Sequence, residues 1–77
     1  MHELIPLHLL ASGQLACVRQ VLGEAQQVHR LHEIGLHVGK QVEMVRSGSP
    51  CIIRLDGSKL CFRADEVMSV LVEPEFA

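Results

Sequence analysis

The chain contains no tryptophan and no tyrosine, and only two phenylalanines, Phe62 and Phe76. That scarcity excludes a core of stacked rings and a platform of aromatics for unpaired bases. Excess positive charge is also missing: 7 Lys and Arg stand against 9 Asp and Glu, for a net charge of -2. The basic residues are dispersed, so a nucleic-acid partner is not expected. No apolar run approaches the ~20 residues of a membrane span, which argues against direct membrane insertion. The opening Met1-His2-Glu3-Leu4-Ile5-Pro6 has no basic leader and is broken by proline. The expectation is a soluble, cytoplasmic protein without a signal peptide. Cys17, Cys51 and Cys61 are odd in number and have no paired spacing. They read as free, buried packing thiols in a reducing compartment. No glycine-rich phosphate cradle is present, so nucleotide hydrolysis by this chain is not expected.

What is present is aliphatic. Hydrophobic residues make up 48% of 77 residues, enough for one domain, 1–77, with a modest core of Val, Leu, Ile and Met. Pro6 to Leu10 is a short apolar lead-in, helical or extended, followed by a turn at Ala11-Ser12-Gly13. Leu15 to Val21 reads as a strand with Ala16 and Val18 on one face. Glu24 to Ile34 reads as a helix whose Val28, Leu31 and Ile34 form one buried stripe at 100° per residue. His29 and Glu33 form an i,i+4 pair on its wet face.

Glycine then sets the corners. Gly35 fits the left-handed position past a helix end, with Leu36 folding back on the last turn. Val38-Gly39 fits the centre of a type II turn. Gln41 to Arg46 alternates with Val42 and Met44 inward, and Ser47-Gly48-Ser49-Pro50 is a loop. Asp56-Gly57 predicts a two-residue hairpin turn that pairs Leu55 with Ser58, Ile53 with Leu60 and Cys51 with Phe62. Arg54 then lies opposite Lys59, which needs an acidic neighbour. Ala64 to Met68 is a short helical turn, Ser69 to Glu73 a last strand, and Glu75-Phe76-Ala77 a loose tail. The sum is a mainly β domain: about five antiparallel strands curled into a barrel, with one helix between the first and second.

This order of corners resembles the FeoA family, the small cytoplasmic component of bacterial ferrous-iron uptake. The matching residues are Pro6-Leu7, Gly13, Arg30-Leu31, Ile34-Gly35-Leu36, Gly39 with Val42 and Met44, and Leu60-Cys61-Phe62-Arg63 through Val72. Val38 stands where the family usually has proline, and Ser47-Gly48-Ser49-Pro50 replaces a loop that is often longer. The resemblance implies an SH3-like barrel without enzymatic activity. It implies a partner, the large membrane iron transporter that carries a cytoplasmic GTP-binding domain. It also links the chain to the C-terminal domain of iron-dependent repressors, so a metal-binding sensor is the alternative.

Several residues are candidates for function. His29 and His32, at i and i+3, are neighbours on a helix and are the candidate ligands for a transition metal ion. Against that, a structural zinc site needs four ligands and no second spaced pair completes it, so a resident cofactor is not expected. Asp65 and Glu66 point apart on a helical turn and suit a helix start better than acid–base catalysis. Candidate partner contacts are His29, Arg30 and Glu33 on the helix, with Val45, Ile52 and Leu71 as an outward apolar patch. Gly35, Gly39 and Gly57 are assigned structural turns. Exposed strand edges leave room for homo-oligomers.

Overall fold

The computed structural model describes residues 3–75. Phe76 and Ala77, read as part of a loose tail, lie outside the described residues, as do the first two positions of the domain span. The elements are β1 (Ile5–Pro6), a 3-10 turn (Leu7–Leu9), β2 (Leu15–Val21), α1 (Ala25–Glu33), β3 (Gln41–Arg46), β4 (Cys51–Leu55), β5 (Ser58–Phe62), α2 (Ala64–Val67) and β6 (Val70–Pro74).

The strands form one antiparallel sheet in the order β1-β6-β2-β3-β4-β5. Two expectations are corrected. There are six strands rather than about five, and the sheet is open rather than closed into a barrel. The added strand is Ile5–Pro6, paired with Val72 and Leu71. Pro6 has no N–H to donate and the chain turns at once into the 3-10 segment. So short an edge offers no ladder on which the other end of the sheet could close. With β1 counted, the helix lies between the second and third strands.

The β4–β5 hairpin carries the expected register, from Leu55 opposite Ser58 to Cys51 opposite Phe62. Asp56 and Gly57 have φ of 51° and 81°, the paired positive angles of a type I′ turn. Arg54 finds its acidic neighbour in Glu43 across β3, with Arg54 Nη1 3.3 Å from Oε1. Bulges at Arg19 and Val45 shift the register of β2 against β6 and of β3 against β4.

The core is wholly apolar. Leu7, Leu10, Leu36, Met44 and Ile53 are its largest fully buried side chains, and no polar or charged residue is buried among the described residues. Ala16 and Val18 line it from β2, and Val70 and Val72 from β6. Helix α1 contributes less than its periodicity predicts. Leu31 is buried, Val28 is half-buried and Ile34 is 41% exposed. Ile34 is the cap residue, one position past the end of α1, so it sits at the exposed end of the stripe beside Leu31.

The helix ends in a Schellman motif. Leu36 N–H donates to Leu31 C=O at 2.9 Å, Gly35 N–H donates to His32 C=O at 3.0 Å, and Gly35 has φ of 105°. Leu36 and Leu31 are both buried beneath this corner. Next, Lys40 N–H donates to His37 C=O at 3.1 Å around Gly39, whose φ is 95°. Gly39 N–H also donates to Val18 C=O at 2.8 Å, which ties the turn to β2.

Candidate interaction surfaces

The expected contact residues fall in three separate places. On α1, His29 Nε2 lies 3.1 Å from Glu33 Oε1, with both side chains mostly exposed. Arg30, one position on, has no ion-pair or hydrogen-bond partner among the described residues. Val45 and Ile52 lie on neighbouring strands of the outer sheet face and are half-buried. Ile52 borders a hollow of about 220 Å³ with Arg46, Pro50 and Cys61. Leu71 is not part of that patch: it pairs with Pro6 and Gln20, and β2 separates its strand from β3.

The two metal candidates do not converge with a third ligand. His29 faces Glu33, whereas His32 packs edge-on against His37 with ring centroids 6.3 Å apart. No three His, Cys, Asp or Glu side chains come together among the described residues. Of the two acidic residues of α2, Glu66 acts on backbone: its Oε1 accepts the Arg63 N–H at 2.8 Å and starts the helix.

The cysteines need a correction. Only Cys51 is buried; Cys17 is half-buried and Cys61 is exposed. Cys61 sits opposite Ile52 on the outer face of β5, the last strand of the sheet, where no layer covers it. Loss of hydration pushes the Cys51 thiol above its ordinary pKa.

Two hollows were not anticipated from sequence. One, of about 400 Å³, is lined by Leu15, Gln41, Val42 and the turn Asp56-Gly57. Its charges are already matched, Lys40 Nζ with Asp56 Oδ2 at 2.8 Å and Arg54 with Glu43. The other, of about 150 Å³, is lined by Leu31, Ile34 and Phe62, with Gln27, Arg30 and Glu66 at its rim. Its members come from α1, β5 and α2, which only the tertiary fold brings together. The one local sign of it is Ile34, an apolar residue placed where the helix stops.

A model of the FeoA domain family matches residues 5–74. Among solved structures, an iron uptake regulatory protein (FeoA) superposes with a TM-score of 0.88 at 23% identity, over 95% of this chain and 99% of that one. The FeoA of Stenotrophomonas maltophilia, described with zinc as a prokaryotic SH3 domain protein, gives a TM-score of 0.76 at 23% identity, over 92% and 95% of the two chains. A manganese-dependent transcriptional repressor gives 0.85 at 10% identity, over 97% of this chain but 44% of that one. At these identities the likenesses speak to fold. No curated protein matches the sequence.

Proposed function

This chain belongs to the FeoA family, and on that premise we propose that it is a non-enzymatic accessory module of bacterial ferrous-iron uptake. It would act in the cytoplasm by binding and modulating the cytoplasmic part of the GTP-binding-domain-containing membrane transporter. The observation that carries this reading is the family match across residues 5–74, nearly the whole chain. Two features support it. No helix among the described residues is long and apolar enough to cross a membrane, so any work at a transporter would be done from outside the bilayer. The chain also leaves apolar side chains exposed, including Leu9, Val38, Met68 and Ile34, around a core whose described buried residues are all apolar.

The competing reading, a metal-binding sensor, draws on the likeness to the manganese-dependent repressor. That likeness brings no ligands with it. His29 is engaged by Glu33, His32 packs edge-on against His37, and no third ligand joins either among the described residues.

The test is binding of the purified chain to the transporter's isolated cytoplasmic domain. A dissociation constant of tens of micromolar or tighter is expected. No binding in that range rejects the proposal.

A further inference from the structure

The small groove at the end of α1 combines an apolar floor, an exposed aliphatic wall and a cation at its rim. Its floor is Leu31 and Phe62, buried or nearly so, and its open wall is Ile34, 41% exposed. At about 150 Å³ it is below the roughly 300 Å³ at which small-molecule and cofactor pockets begin. That volume suits one aliphatic side chain, the kind of anchor that dominates protein–protein contacts.

The backbone of the wall is also pinned before anything binds. Ile34 is held between the last helical turn and Gly35 by the two Schellman hydrogen bonds at 2.9 and 3.0 Å. Little ordering is left to be done on association.

The rim decides the charge of the occupant. Arg30 has no partner among the described residues. Glu66, the only carboxylate at the rim, already accepts the Arg63 N–H at 2.8 Å and lies 3.7 Å from Arg63 Nε. A free cation therefore faces the groove and no free anion does. An acidic segment gains a charge-assisted contact there, and a basic one meets repulsion.

We propose that this groove is the docking site for the partner protein, and that it takes one Leu, Ile or Met side chain flanked by a carboxylate that pairs with Arg30. The identification of that partner with the transporter rests on the function proposed above. The site itself does not.

Two measurements separate the claims. The first is calorimetric binding of the transporter's cytoplasmic domain to wild-type chain and to Ile34→Ser, Arg30→Glu and Ile52→Ser. Ile34 and Arg30 are exposed enough for these variants to fold, which circular dichroism checks. The expected result is a tenfold or greater loss for Ile34→Ser and Arg30→Glu, and less than a twofold change for Ile52→Ser. Wild-type binding that survives both groove substitutions overturns the docking site and leaves the proposed function standing. Absence of wild-type binding rejects the proposed function instead.

The second measurement needs no transporter. Amide shifts of the ¹⁵N-labelled chain are followed with a capped Glu-Glu-Leu-Glu-Glu peptide and its Lys-Lys-Leu-Lys-Lys counterpart at millimolar concentration. Shifts centred on Leu31, Ile34 and Phe62 with the acidic peptide alone support the proposal. Equal response to both peptides, or none at the groove, overturns it. Concentration-dependent dimerisation abolished by Ile34→Ser would assign the groove to a second copy and also overturn it.

Discussion

A side chain begun at Gly35 would place its Cβ 3.1 Å from Leu55 Cδ2. Leu55 is buried, so it has little freedom to retreat. Gly35 therefore meets two constraints together, a φ of 105° and a close neighbour from β4, whereas Gly39, at 95°, has nothing within 4 Å of the same position.

The pair makes a graded prediction. Gly39→Ala incurs backbone strain alone, about 1–2 kcal/mol. Gly35→Ala incurs that strain and a crowded Leu55, and should lose at least about 1 kcal/mol more. Urea unfolding of the two variants measures the difference; equal losses would show that Leu55 yields freely.

Cys51 gives a prediction with a definite sign. Its thiol is buried and its pKa is raised in the folded chain, chiefly by desolvation. The unfolded chain releases that proton first, from about pH 8.5 upward. In that window the folded state binds more protons, so stability falls as pH rises, by up to about 1.4 kcal/mol per pH unit. Cys51→Ala should remove this part of the alkaline loss, as read from denaturation midpoints at pH 7.5 and 9.5.

Thiol labelling should distinguish the two cysteines of the hairpin. Cys61 is exposed and Cys51 buried. Iodoacetamide should modify Cys61 rapidly in the native protein, and Cys51 only on the timescale of opening. Peptide mapping by mass spectrometry reads both rates, and equal rates would contradict the hairpin's facing.

Glu43 holds Arg54 at 3.3 Å while Lys59 stands on the far side of Arg54. Glu43→Gln should destabilise by about 0.2–1 kcal/mol, since the pair is partly exposed and screened by salt. Adding Lys59→Gln should recover part of the loss by removing the like-charge pair, a coupling that a double-mutant cycle measures.

Titration with zinc or ferrous ion should show no stoichiometric site. His29 and His32 lack a converging third ligand among the described residues. One ion bound per chain, abolished by His32→Ala, would favour the sensor reading.

Local chemistry made much of this molecule readable. The β4–β5 register follows from Asp56-Gly57 and strict alternation, because a one-residue slip would turn Ile53 to solvent. The helix end follows from apolar spacing and one glycine, since capping involves residues adjacent in the chain. Strand β1 was not readable, because two residues carry no period and Pro6 argues against a strand. Nor was the openness of the sheet, which depends on how far the two edges of the assembled sheet stand apart.

The amino-acid order determined the elements, their corners and which face of each hairpin strand turns inward, because these depend on backbone sterics and on neighbours within a few residues. Only the tertiary structure decided that Ile34 stays exposed, that Phe62 and Glu66 meet Leu31 beside it, that nothing covers Cys61 on its outer face, and that Leu71 lies apart from Ile52. Those outcomes depend on the strand order and on the angle at which α1 meets the sheet, quantities that no short window of sequence contains.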